Sequence, residues 1–161
     1  MSALRRLAIT YRDQVELVYP VHLSPVVQEA AHSHLDGLPN VHLIEPLTAD
    51  EMHNLMARSY LVLTDSGGLQ EEAPALGKPV LVLRRETERP EAVAAGTVRI
   101  AGTDEADIVA MASDLIESPA AYAVMAHAVN PYGDGRACRR IADAIAYHFG
   151  RTDHPPEPFR S

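Results

Sequence analysis

The chain has 161 residues, enough for one ordinary domain, and its 47% apolar content is what a packed core requires. A formal net charge of -8 excludes nucleic acid as a partner, because that binding is driven by clustered Lys and Arg, so any anion site must be local. The single cysteine, Cys138, excludes an intrachain disulfide, and no apolar run approaches the roughly 18 residues of a membrane span or resembles a secretory leader, so a cytoplasmic protein without a membrane partner is expected.

In residues 2–12, Leu4, Leu7, Ala8 and Tyr11 recur at i, i+3, i+4 and i+7, the stripe of an amphipathic helix. Residues 15–21 read as a strand. Residues 25–35 read as a helix, with Ser24 as N-cap and Pro25 at its first position. Residues 41–44 form a second strand; Thr48 then caps a helix through about Arg58, with Glu51 completing a capping box, and residues 60–64 form a third strand. After the Ser66-Gly67-Gly68 turn come a short helix to about Leu76, a strand at 79–83, a helical turn at 90–95 and a strand at 97–100. Residues 104–116, 119–128 and 136–148 carry helical spacing. The Pro-rich tail, 151–161, has little to bury and is expected to be disordered.

Short continuous apolar strands joined by helices are the pattern of a parallel sheet covered on both faces. The expected fold is α/β and Rossmann-like, with residues 1–150 as the domain. Because the chain opens on a crossover helix, the pattern expects that the first strand is missing; the alternative is a domain that simply begins with a helix.

Chemistry concentrates in Leu63-Thr64-Asp65-Ser66-Gly67-Gly68-Leu69-Gln70-Glu71-Glu72, where a buried strand turns through two glycines into a helix. Gly67 and Gly68 allow close backbone approach to a ligand. Free N–H groups at the helix start suit a diphosphate, and Ser66 adds a hydroxyl. An ordinary Gly-rich turn is the competing reading. Glu72 lies four positions past Gly68, where a carboxylate can accept from both hydroxyls of a ribose. Glu71 is read as dipole compensation. Pro74 keeps this helix short or bends it. In Arg84-Arg85-Glu86-Thr87-Glu88-Arg89-Pro90-Glu91, Arg89 offers a fork for phosphate or sugar oxygens, against the competing reading of a loop of solvated ion pairs. His22 follows the first strand at the ligand edge. His32 and His34, two apart, face different sides of their helix, and no metal site is expected. Cys138, among arginines with no base nearby, reads as a structural thiol.

The segments Tyr19-Pro20-Val21-His22-Leu23, Leu63 to Pro74, Leu76-Gly77-Lys78-Pro79-Val80-Leu81-Val82, Thr87-Glu88-Arg89-Pro90-Glu91-Ala92, Ala95-Gly96-Thr97-Val98 and Asn130-Pro131-Tyr132-Gly133-Asp134-Gly135 together resemble the bacterial non-hydrolysing UDP-N-acetylglucosamine 2-epimerases over residues 1–150. The resemblance implies the C-terminal lobe of a two-lobed GT-B enzyme that interconverts UDP-N-acetylglucosamine and UDP-N-acetylmannosamine. It implies elimination of UDP to an acetamidoglucal and re-addition, without a redox cofactor. Carried over by motif, Ser66 and Gly67 hold the diphosphate, Glu72 the ribose hydroxyls and Arg89 the sugar-phosphate region, with Gly68 a further substrate-binding candidate of the same turn. Met52 matches a position whose backbone meets uracil, and His22 a position linked to a second, regulatory substrate molecule.

The resemblance also places the family's acidic catalytic residues, its other phosphate-binding arginines and its Gly-His-Arg-Arg-Glu-Asn motif in sequence that precedes Met1. Arg85 stands where an acidic residue is usual. Two functions are therefore expected in competition: an epimerase half that binds UDP or a UDP-N-acetylhexosamine but is inactive alone, or a non-catalytic uridine-nucleotide module working with a partner chain. A ligand-free relic that self-associates through an exposed sheet edge is the third. The partner in either case is a missing N-terminal lobe or a second copy.

Overall fold

In the computed structural model, which describes residues 1–158, local signals set the helices. Thr48 accepts from the Glu51 N–H while the Glu51 carboxylate accepts from the Thr48 N–H at 2.9 Å, a reciprocal cap that starts α3 (Ala49–Arg58). The Asp104 carboxylate takes the N–H groups of Ala106 and Asp107 to start α6 (Glu105–Glu117). The remaining helices are α1 (Ser2–Thr10), α2 (Pro25–Leu35), α4 (Gly67–Ala75), α5 (Pro90–Ala95), α7 (Pro119–Ala126) and α8 (Ala137–His148). Ser24 occupies the cap position of α2, but its side chain makes no capping bond.

Five strands alternate with the first helices: β1 (Leu17–Pro20), β2 (Val41–Ile44), β3 (Val62–Thr64), β4 (Val80–Val82) and β5 (Val98–Ile100). All pairings are parallel, but they form two ladders, β1-β2 and β3-β4-β5, rather than one continuous sheet. Among the described residues β1 and β3 are each paired on one side only.

β4 shows how both faces are covered. Val80 and Val82 point into a core with Met56, Val62, Ala73, Ala92 and Val98, whereas Leu81 points into the opposite core, built from Leu7, Tyr11, Ile108, Leu115 and Met125. Helices α3, α4 and α5 thus line one face and α1, α6 and α7 the other.

The strands are shorter than the apolar runs that announce them. Tyr60 leaves the third strand because its ring stacks on Tyr122 with centroids 4.1 Å apart and its hydroxyl donates to the Leu115 carbonyl. Val15 lies before β1 and packs against the first core. Helix α8 buries none of its residues, and Cys138 is exposed on it, so the structural-thiol reading is corrected: the thiol packs into no core. Residues 151–158 form neither helix nor strand, and the remainder of the tail, 159–161, lies outside the described residues. Among the described residues no single helix is long and apolar enough to cross a membrane.

Candidate functional site

Parallel strands deliver their following loops to one edge. The turn after β3 and the charged loop after β4 are therefore neighbours, as ligand-binding loops of open α/β sheets are. Ser66 sits at the N-cap of α4 in an extended conformation and makes no capping bond with its side chain, so its hydroxyl is not committed to the helix end. Its N–H donates to Thr64 Oγ1 at 3.0 Å, which fixes the turn from within.

Gly67 stands at a close approach between the turn and the charged loop. A Cβ there would collide with Glu88 Oε1 and lie 3.9 Å from Arg89 Nη2, so the turn and the Arg89 side chain are in near contact. At Gly68 an added Cβ would meet Glu72 Oε1 at 3.5 Å, so the Glu72 carboxylate folds back over the start of its own helix. Its other oxygen, Oε2, is 3.0 Å from Nε2 of His53 on α3. Met52, next to His53, is partly buried against the core beneath the site; its N–H is engaged by the Thr48 carbonyl at 2.9 Å.

Arg89 caps α5, and its N–H donates to Thr87 Oγ1 at 3.0 Å. Its Nε donates to Glu71 Oε1, and this hydrogen bond raises the Arg89 pKa above its ordinary value. Glu88 pairs with Arg84 at 2.8 Å; its own backbone N–H, followed by Arg84 and Arg89, holds its carboxyl below the usual range. The loop is thus a network of ion pairs with one arginine, Arg89, turned toward the glycine turn.

His22 lies apart from this group. It follows β1 in the other ladder, where its Nδ1 accepts from the Ser24 N–H at 3.1 Å. The end of β1 nevertheless lies within electrostatic reach of the turn after β3. Burial and then the charge of Asp65, just past β3, raise the pKa of Tyr19 near the end of β1.

The structure accordingly brings Ser66, Gly67, Gly68, Glu72 and Arg89 to one edge, with Met52 on the adjoining helix and His22 across the gap between ladders. Three participants escaped the sequence reading. Glu71 reads in the sequence as dipole compensation, but it is the partner of Arg89. His53 holds Glu72. Gln70 is fully buried and bonded to both loops; its place four residues after Ser66 and three before Ala73, on the stripe that α4 buries, was the available signal.

The sequence model of the family described as UDP-N-acetylglucosamine 2-epimerase matches residues 1–146. The UDP-N-acetylglucosamine 2-epimerase of Bacillus subtilis (strain 168) is 54% identical over 158 residues, an alignment that covers 98% of this chain and 41% of that protein. The S. aureus MnaA-UDP co-structure superposes with a TM-score of 0.91 at 46% identity, covering 99% of this chain and 43% of the other. The UDP-GlcNAc 2-epimerase from Neisseria meningitidis, bound to UDP-GlcNAc, gives a TM-score of 0.84 at 46% identity, covering 90% of this chain and 40% of the other. The chain therefore spans about two fifths of the length of the curated relatives it matches.

Proposed function

The chain belongs to the UDP-N-acetylglucosamine 2-epimerase family, and on that premise we propose that it is the uridine-nucleotide-binding half of an enzyme that interconverts UDP-N-acetylglucosamine and UDP-N-acetylmannosamine. One observation carries the reading: Arg89 converges on the glycine turn at the start of α4, with Glu72 folded over the same turn. The relatives solved with UDP and with UDP-GlcNAc support the choice of ligand.

In this reading the diphosphate rests on the N–H groups at the start of α4 and on the Ser66 hydroxyl, where the helix dipole favours negative charge. Glu72, steadied by His53, accepts from the ribose hydroxyls, and the backbone around Met52 borders the uracil. Arg89 turns from Glu71 to the phosphates. Breaking the sugar C1–O bond leaves its electron pair on the departing UDP, and Arg89 with the helix start stabilises that charge. The proton at C2 leaves one face and returns to the other through acidic groups supplied by the family's other lobe, and UDP then re-adds. This chain alone binds the nucleotide and turns over nothing. His22, by the same resemblance, serves a second, regulatory substrate molecule. A cytoplasmic location belongs to the same proposal and is supported by the lone cysteine.

A second reading, a non-catalytic nucleotide module acting with a partner chain, is favoured by the half-paired strands β1 and β3. Both readings require the same test first. UDP, binding only the folded state, raises the melting temperature of the chain, and Glu72→Ala removes most of that rise. No rise at millimolar UDP discards the nucleotide site. Recovery of epimerase activity on adding the family's other lobe selects the catalytic reading, and nucleotide binding without turnover in that mixture selects the module.

A further inference from the structure

We propose that Gln70 is the positioning residue that fixes the Arg89 loop against the diphosphate turn, so that the two halves of the anion site form as one unit; this rests on the UDP-binding reading above. Gln70 lies in the middle of α4, and its side chain is fully buried. A buried amide is costly unless both ends are satisfied, and here each end goes to a different loop. Nε2 donates to the Ser66 carbonyl at 3.2 Å, while Oε1 accepts from Thr87 Oγ1. The Thr87 hydroxyl in turn accepts the backbone N–H of Arg89 at 3.0 Å.

The direction of this relay is determined by chemistry. The Ser66 carbonyl can only accept, so the amide nitrogen must face it, and the amide oxygen must then take the Thr87 proton. Once that proton is committed, only the lone pairs of Thr87 are left for Arg89. Every bond points one way, from the Arg89 N–H through Thr87 and Gln70 to Ser66. The path joins the residue before Gly67 to the N-cap of α5, from which the Arg89 guanidinium extends. None of its hydrogen bonds involves Glu72 or His53, which hold the opposite, ribose side of the site. The relay therefore acts on diphosphate recognition and leaves nucleoside recognition alone.

The test compares UDP with uridine on the full chain. Thr87→Val keeps the shape and removes the hydroxyl; it should weaken UDP roughly ten-fold, as loss of aligned charge-assisted hydrogen bonds does, and change uridine by less than about two-fold. Thr87→Ser restores the hydroxyl and should restore UDP affinity. Gln70→Leu should show the same UDP-selective loss and add nothing further in the Thr87→Val background, because both cut one path. UDP affinity unchanged in Thr87→Val, or UDP and uridine weakened alike, overturns the relay. Thr87→Val, at the half-buried end, stands as the test even where Gln70→Leu fails to fold. Should the wild-type chain bind neither ligand, the nucleotide reading falls, and hydrogen exchange still decides the relay: the Arg89 amide must exchange faster in Thr87→Val than in wild type, and equal rates discard it.

Discussion

Arg89 and Glu71, 18 positions apart in sequence, form an ion pair that ties the loop after β4 to the second turn of the helix after β3. Both side chains are about a third exposed, at 31% and 38%, so the pair contributes little to stability in water and its main effect is on charge. A phosphate approaching Arg89 competes with the Glu71 carboxylate for the charge of the guanidinium. Glu71→Gln keeps an acceptor and removes the competing charge, so UDP should bind about two- to five-fold more tightly, with a steeper dependence on salt. Calorimetric titration at two ionic strengths measures this. Weaker binding instead would mean that Glu71 aims the guanidinium rather than competing for it.

Gly67 separates site geometry from stability. The atom that an alanine Cβ would strike is the end of the flexible Glu88 side chain, which can swing away, and alanine suits the first turn of a helix. Gly67→Ala should therefore shift folding stability by no more than about 0.5 kcal/mol while lowering UDP affinity by ten-fold or more, because the methyl group stands where phosphate must approach the backbone. Thermal melts and UDP titration of the same sample give both quantities. Full retention of UDP affinity would remove the glycine turn from the site.

Asp134 supplies the pH dependence. Its two carboxylate oxygens accept from Arg140 at 2.7 Å each, and this pair, with the Arg136 N–H, holds its pKa far below the ordinary value of 3.8. A depressed folded-state pKa means that the stabilisation is fully present above the unfolded value and is lost as pH falls through the folded one. Wild type should thus be more stable than Asp134→Asn at neutral pH, and the gap should close progressively below about pH 4. Melting curves of the two proteins from neutral to acid pH check it; a gap that persists at the acid end would assign the stabilisation to the hydrogen bonds alone.

Much of the fold is legible residue by residue. The reciprocal cap of Thr48 and Glu51, Pro25 and Pro90 at helix starts, and the short strands β2 and β4 all follow from interactions within a few positions of sequence. Errors gather where a distant partner intervenes. Tyr60, whose own run is strand-like, is drawn out of β3 by Tyr122 and Leu115. Cys138 reads as structural, but it is exposed on α8, which buries none of its residues. The sequence names seven candidate residues, and the structure gathers five of them around the start of α4, with Met52 on the adjoining helix and His22 across the gap.

The sequence by itself determined which elements form and which segments hold the candidate residues, because capping, apolar periodicity and the glycine turn are local properties of the chain. The tertiary structure alone decided how those residues are connected. Glu71 belongs to Arg89, His53 to Glu72, and buried Gln70 to Thr87, through pairings 17 to 19 positions apart. The parallel order of β3 and β4 creates the pairings of Glu71 and Gln70, since it brings to one edge two loops that the sequence separates by a helix and a strand, while the packing of α3 beside α4 creates that of His53. Side-chain type sets what a residue can bond; only the register of the sheet sets which partner comes within reach.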